Sequence, residues 1–152
     1  MRIYFAASLF TQVERKWNRM LAEALTDLMP DLEIILPQDF KVAGKYNSNK
    51  HYGALFRMCV DGVEAADTVL AILDGAEVDS GVAWEMGYAF SRKKPILGVR
   101  TDFRPGAEHG VNIMLSRSCK YIIRDFAFQE DVGVLARDIV RRLKRMNNGR
   151  NQ

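Results

Sequence analysis

Short apolar runs alternate along the chain with longer stretches in which apolar residues recur at helical spacing. Each apolar run is short enough for a buried strand, and the predicted strands cover residues 2–6, 32–36, 68–73, 95–100 and 121–123. Thr11 and Glu14 form a T-x-x-E capping box that predicts a first helix, which Pro30 ends. Further helices are predicted over residues 52–66 and 80–91, as a short turn over 111–116, and at the basic carboxyl-terminal end, with a polar loop over 38–50.

This alternation of strands and helices predicts an α/β protein whose parallel sheet is covered on both faces. Right-handed crossovers and five strands lead us to expect a doubly wound, flavodoxin-like, five-stranded parallel sheet with the order 2-1-3-4-5. The chain shows no internal repeat and no second domain. We therefore expect one domain over residues 1–146, followed by a polar tail over 147–152.

The composition, with 48% hydrophobic and 27% charged residues among 152, is typical of a soluble globular protein. Cys59 and Cys119 lie far apart without CxxC spacing, which argues against a zinc site and against a disulfide framework. No cleavable leader and no apolar stretch of about 20 residues is recognisable. We expect a cytoplasmic protein that makes no contact with membranes.

A net charge of +3 comes largely from the carboxyl-terminal stretch RDIVRRLKRMNNGR. Val134, Ile139, Val140 and Leu143 lie roughly on one face of the predicted helix, so the arginines form its solvated face. No aromatic platform accompanies this charge, and nucleic acid is not an expected partner.

In an open α/β sheet, ligands bind beyond the carboxyl ends of the strands near the switch point, here between the first and third strands. The segment AASLF after the first strand lacks the glycines of a dinucleotide fingerprint, and no GxxxxGK[ST] motif occurs. His51 and His109 have no ligand spacing. We expect neither a cofactor nor a metal.

The segment DGAEVDSGVAWEMGYAF after the third strand places four carboxylates near a helix start: Asp74, Glu77, Asp79 and Glu85. Glu85 is the one charge in a helix that is otherwise apolar, so it should be paired, protonated or functional. Gly81, one turn earlier on the same face, would let a ligand approach. The alternatives are an ion pair of Glu85 with Arg92 or Lys93, and a helix N-cap for Asp79.

A carboxylate without metal-binding partners can act as a nucleophile at a sugar carbon. It attacks the anomeric position through an oxocarbenium-like transition state and forms a glycosyl-enzyme. An acceptor then displaces the carboxylate on the same face, so that configuration is retained.

The sequence resembles the nucleoside 2-deoxyribosyltransferases in IYFAASLF, TVLAILDG, DSGVAWEMGYA, KPILGVRTD and VNIM, which occur in this order over about residues 2–125. The resemblance implies 2′-deoxynucleosides and nucleobases as partners, no cofactor, and a homo-oligomer with active sites shared between subunits. It implies Glu85 as the nucleophile and Tyr4 as the residue whose hydroxyl orients it. A core aromatic is the alternative for Tyr4.

The resemblance also implies a substrate site. Asp79 matches the residue that binds the sugar 5′-hydroxyl, and Asn112 and Met114 match residues that a neighbouring subunit lends to the sugar pocket. Phe10 matches a wall of the base site, and Asp39, in the loop over 37–45, is a candidate base contact. A core Phe and a core Met are the alternatives for Phe10 and Met114.

One departure from the family pattern concerns the acid that protonates the leaving base. Counting back eight residues from Asp67 reaches Cys59 where the family often has an aspartate. Asp61, two residues further on, is the candidate acid, but the two positions differ by about 200° on a helix and cannot both face the site.

Two other functions compete with base exchange. A nucleoside 5′-monophosphate N-glycosidase shares the fold and the catalytic Glu, but the Asp79 carboxylate would repel the phosphate, since two like charges about 4 Å apart cost on the order of kcal/mol at intermediate dielectric. A non-catalytic nucleotide-sensing module would not need an acid in an apolar helix.

Overall fold

The computed structural model describes residues 1–43, 48–104, 110–127 and 130–148. His109, residues 44–45 of the predicted base-contact loop, and the end of the predicted tail at 149–152 lie outside the described residues. The strands are β1 (Arg2–Ala6), β2 (Glu33–Ile35), β3 (Thr68–Ile72), β4 (Ile96–Arg100) and β5 (Tyr121–Arg124). The helices are α1 (Gln12–Leu28), α2 (Asn49–Ala65), α3 (Ser80–Ser91), α4 (Ile113–Ser118) and α5 (Val132–Asn148).

All five strands are parallel, and their order across the sheet is β2-β1-β3-β4-β5. The predicted flavodoxin-like order is thus confirmed. Tyr4 is in register with Val69 in β3, and Val69 with Ile96 in β4. The order changes direction between β1 and β3, so their carboxyl ends border a crevice.

Alternating side chains of β1 divide the core into two layers because successive strand residues point to opposite faces. Ile3 and Phe5 face α1 and α5, while Tyr4 and Ala6 face α2 and α3. Tyr4 is completely buried. The β1 pattern therefore directs the Tyr4 side chain towards the helix that carries Glu85.

The predicted capping box at the start of α1 is present. The Thr11 hydroxyl accepts a hydrogen bond from the Glu14 amide at 3.2 Å, and the Thr11 amide donates to the Glu14 carboxylate at 2.7 Å. These contacts satisfy amides that the first helical turn would otherwise leave free.

The predicted loop over residues 38–50 is partly wrong, because a 3₁₀ turn covers Pro37–Asp39 and α2 begins at Asn49. Ser48 caps α2 by accepting from the His51 amide at 3.1 Å. The short helix α4 begins two residues later than predicted because Asn112 caps it. Helix α5 continues to Asn148, two residues beyond the expected end of the domain.

No helix within the described ranges is long and apolar enough to cross a membrane.

Candidate active site

A hydrogen bond links Tyr4 in β1 to Glu85 in α3. The Tyr4 hydroxyl donates a hydrogen bond to Glu85 Oε1 at 2.5 Å, although 81 positions separate the two residues in the chain. Among the described residues, no Lys or Arg forms an ion pair with Glu85, and Arg92 pairs with Glu64 at 2.7 Å instead. The alternative of an ion pair between Glu85 and Arg92 or Lys93 is therefore wrong.

The surroundings of Glu85 change its acidity. Burial raises the pKa of Glu85 to about 7, while the hydrogen bond from Tyr4 opposes this rise, the Asp79 charge adds to it and Cys59 opposes it. Burial and the Glu85 charge raise the pKa of Tyr4, so its hydroxyl stays protonated and remains a donor. Glu85 is therefore a carboxyl group whose pKa lies near neutral pH and whose position is fixed by a hydrogen bond from an uncharged donor.

Cys59 lies beside this pair, whereas Asp61 does not. The Cys59 thiol influences the pKa values of both Tyr4 and Glu85, and burial raises its own pKa, which keeps the thiol protonated. Asp61 is exposed, and its charge acts on Tyr88. The structure thus brings Cys59 to the carboxylate and places the predicted acid, Asp61, on another face of α2.

Asp79 is the N-cap of α3, which is one of the two roles that the sequence predicted for it. Its Oδ1 accepts from the Gly81 amide at 2.9 Å and from the Val82 amide at 3.1 Å. A Cβ at Gly81 would lie 3.0 Å from this oxygen, so the glycine leaves space for the cap. Because Asp79 also acts on the pKa of Glu85, its carboxylate lies within electrostatic range of the nucleophile candidate.

Two aspartates cross-link the loops that follow β3 and β4. The Asp74 carboxylate accepts from the backbone amides of Thr101 at 2.6 Å and Asp102 at 3.0 Å. Asp102 accepts in turn from the Gly75 amide at 3.0 Å and pairs with Arg104. Asp74 therefore does more than begin a turn, since it holds together the loops at the edge of the crevice.

Arg100 is a structural residue that the sequence pattern did not single out. It ends β4, is only 2% exposed, and donates to the Leu73 carbonyl at 2.5 Å. Gly110, at φ +83°, lies against it, and a Cβ there would come within 2.9 Å of Arg100 Nε. An arginine at the end of an apolar strand was the available signal.

Phe10 and Met114 are 78% and 76% exposed, so the alternative of a core position is wrong for both. Asn112 accepts from the Met114 amide at 2.9 Å and so caps α4. Asp39 forms an ion pair with Arg19. Among the described residues, none of these four predicted substrate-binding residues forms a hydrogen bond with Glu85.

A cavity of about 360 Å³ opens at the carboxyl edge of the sheet on the α1 side. Asp79 lines it, together with Glu14, Asp74, Trp17 and Arg104. No three His, Cys, Asp or Glu side chains in the described part of the chain are grouped as metal ligands.

Most of the sequence matches a known protein family. The sequence profile described as nucleoside 2-deoxyribosyltransferase matches residues 3–136. No curated protein sequence matches the chain.

Several solved structures share the fold. A 2-deoxyribosyltransferase from Bacillus psychrosaccharolyticus is 20% identical, with 90% of each chain covered and a TM-score of 0.72. One from Leishmania mexicana is 25% identical over 75% of this chain and 84% of that chain, with a TM-score of 0.59. A CMP N-glycosidase from Clostridium botulinum is 15% identical over 91% of this chain and 98% of that chain, with a TM-score of 0.61. Since the profile covers most of the sequence, the chain belongs to the nucleoside 2-deoxyribosyltransferase family.

Proposed function

We propose that this protein transfers 2-deoxyribose from a 2′-deoxynucleoside to an acceptor nucleobase through a covalent intermediate on Glu85, with retention of configuration. The observation that carries this proposal is the 2.5 Å hydrogen bond from Tyr4 to the partly buried carboxylate of Glu85, whose pKa burial raises to about 7. A nucleophile must be ionised when it attacks, and the Tyr4 hydroxyl stabilises and orients the ionised form.

The reaction consists of two displacements at C1′. In the first, a Glu85 oxygen forms a bond to C1′ while the bond from C1′ to the base nitrogen breaks, and the leaving base takes up one proton. In the second, a nitrogen of the acceptor base bonds to C1′, the bond to Glu85 breaks, and the acceptor gives up one proton. Two inversions give net retention.

Asp79 accepts a hydrogen bond from the sugar 5′-hydroxyl in this proposal. Its position at the start of α3, where it acts electrostatically on Glu85, supports a sugar that spans the two carboxylates. Phe10, which is exposed, and Asp39, which follows β2, form part of the base site. Gly81 leaves room between Asp79 and Glu85.

We assign Asn112 and Met114 to the sugar pocket of a neighbouring subunit, and hence a homo-oligomer. Large apolar side chains on α2, α3 and α4 remain exposed, among them Phe56, Trp84 and Met114. The rings of Phe56 and Trp84 pack edge to face, with 5.5 Å between their centroids, so the two side chains form one apolar surface. Such surfaces are typical of protein interfaces.

The alternative is hydrolysis of 2′-deoxynucleoside 5′-monophosphates, and the charges near Asp79 argue against it. Glu14, Asp74 and Asp79 line the cavity beside the proposed 5′ position, and Arg104, which also lines it, is paired with Asp102. A dianionic phosphate would meet these carboxylates, whereas a hydroxyl donates to them. A nucleotide sensor would have no use for the bond between Tyr4 and Glu85.

A chromatographic assay with deoxyinosine as donor and adenine as acceptor tests the proposal. Deoxyadenosine should form with the wild-type protein and not with Glu85→Ala. Glu23→Ala, at an exposed position of α1, is the matched control and should retain the rate. Free base released only from deoxynucleoside monophosphates would replace the proposal with the N-glycosidase function.

A further inference from the structure

Among the described residues that line the cavity at the carboxyl edge of the sheet, Arg104 is the one cation. Three carboxylates line the same cavity, those of Glu14, Asp74 and Asp79. An arginine in such a place is suited to bind a phosphate, because the planar guanidinium can donate two parallel hydrogen bonds to phosphate oxygens. The side chain of Arg104 is 59% exposed, so its own packing does not hold it in one orientation.

Asp102 holds the guanidinium of Arg104. Its carboxylate accepts hydrogen bonds from Arg104 Nε at 2.9 Å and from Arg104 Nη2. It also accepts from the backbone amide of Arg104 at 3.0 Å. Hydrogen bonds from Arg104 lower the pKa of Asp102, so the carboxylate stays ionised near neutral pH. Two side-chain bonds to one ionised partner fix both the position and the orientation of an arginine.

Asp102 is itself held in place behind the cavity. Its side chain is only 8% exposed and accepts from the Gly75 amide at 3.0 Å. Asp74 is the other carboxylate that acts on the pKa of Arg104, but it already accepts from the amides of Thr101 and Asp102. Asp102 is therefore the partner that decides where the charge of Arg104 is used.

We propose that Asp102 is a specificity-determining residue, which withholds the Arg104 guanidinium from the substrate and so restricts the site to donors with a 5′-hydroxyl. The proposal rests on the proposed function, because that function places the 5′ end of the sugar at Asp79, which lines the same cavity as Arg104. A 5′-hydroxyl donates to Asp79 and needs no cation. A 5′-phosphate needs a free cation to offset the carboxylates, and Asp102 neutralises the cation that is present.

A pair of donors tests this role, 2′-deoxyadenosine and its 5′-monophosphate, each with hypoxanthine as acceptor and with released adenine as the readout. Asp102→Asn keeps an oxygen that can accept from the Gly75 amide but lacks the charge that holds Arg104. The double variant Asp102→Asn with Arg104→Gln removes both charges, so it separates the gain of a free cation from the loss of an anion. Asp138→Asn is the matched control, since it removes the charge from an exposed pair with Arg141 on α5.

The wild-type protein should use the nucleoside with a higher kcat/KM than the monophosphate. Asp102→Asn should raise the ratio of kcat/KM for the monophosphate to kcat/KM for the nucleoside at least tenfold, mainly through a lower KM for the monophosphate. The double variant should return to the wild-type ratio, and Asp138→Asn should keep it. A ratio that Asp102→Asn leaves unchanged overturns the proposal, and so does a gain that the double variant retains. A wild-type protein that uses the monophosphate as well as the nucleoside, or better, overturns it too.

Formation of deoxyinosine from the nucleoside reports the proposed function separately. If neither donor releases adenine, the proposed function fails, and calorimetric titration with 2′-deoxyadenosine 5′-monophosphate decides the role of Asp102 alone. Asp102→Asn should then bind the monophosphate at least tenfold more tightly than both the wild-type protein and the double variant. Equal affinities, or no binding to any of the three proteins, overturn the proposal.

Discussion

The side chain of Tyr4 packs directly against the backbone of Gly62 in α2. A Cβ at Gly62 would lie 2.9 Å from Cε2 and 3.0 Å from Cδ2 of the tyrosine ring, and 3.2 Å from Ile35 Cγ2. Such distances are well inside van der Waals contact, and Tyr4 is completely buried, so the ring has little room to move. Gly62 thus allows Tyr4 to reach Glu85.

Gly62→Ala should therefore displace the Tyr4 hydroxyl from Glu85 and lower kcat/KM about 10- to 100-fold, the equivalent of a charge-assisted hydrogen bond of 1.5–3 kcal/mol. Gly53→Ala is the control on the same helix, because its Cβ would meet only Arg57 Nη1 at 3.7 Å. In a Tyr4→Phe background, which lacks the hydroxyl, Gly62→Ala should add little further loss. Fully additive losses would mean that the glycine acts through packing alone.

The pH dependence of base exchange should report the ionisation of Glu85. Because burial raises the pKa of Glu85 to about 7, kcat/KM should rise with pH and level off above about 7. Tyr4→Phe should move the midpoint upward, since the hydrogen bond from Tyr4 lowers the pKa. Tyr121→Phe, at the start of β5, is the control. A midpoint that Tyr4→Phe leaves in place would contradict the assignment.

The same group should make stability depend on pH. The folded-state pKa of Glu85 lies above the unfolded value of 4.5, so its contribution is fully present below about pH 4.5 and is lost as pH rises through about 7. Glu85→Gln keeps an acceptor for Tyr4 but cannot ionise. Relative to the wild-type protein, its free energy of unfolding should increase by on the order of 3 kcal/mol between pH 4.5 and 8. Urea denaturation at both pH values measures this, and an unchanged difference would exclude a raised pKa.

The fold could be predicted from local signals. The bounds of β1 and α3 agree with the sequence pattern, and the Thr11–Glu14 box marks the start of α1 as expected. The start of α2 was missed because its cap, Ser48, lies inside a polar segment that resembles a loop. Polar caps and polar loops share the same residue types, so periodicity alone does not separate them.

The site could be predicted less completely, because its contacts join distant segments. Glu85 is recognisable as the lone acid of an apolar helix, but its bond to Tyr4 depends on how β1 and α3 pack. The roles of Gly62 and Cys59 depend on which face of α2 meets the sheet, and a count along the helix leaves that open. Arg100 was missed although an arginine ends an apolar strand, because that signal does not identify its partners, which are backbone carbonyls.

Cys59 and Asp61 should differ in their effect on catalysis. Asp61→Asn should change kcat by less than threefold, because this exposed carboxylate does not reach Glu85. Cys59→Ala should shift the midpoint of the pH profile upward, since the contact of the thiol with Glu85 lowers its pKa. A large loss of rate in Asp61→Asn, with the fold intact by circular dichroism, would return the acid role to Asp61.

The bonds that Asp74 makes to the β4 loop should contribute to stability. Asp74→Ala removes the acceptor for the amides of Thr101 and Asp102, which are partly buried. Leaving two such donors unsatisfied should lower the free energy of unfolding by about 2–4 kcal/mol. Asp138→Ala, which breaks the exposed ion pair with Arg141, should cost less than about 1 kcal/mol. Urea denaturation measures both, and equal losses would mean that the two loops hold their positions without Asp74.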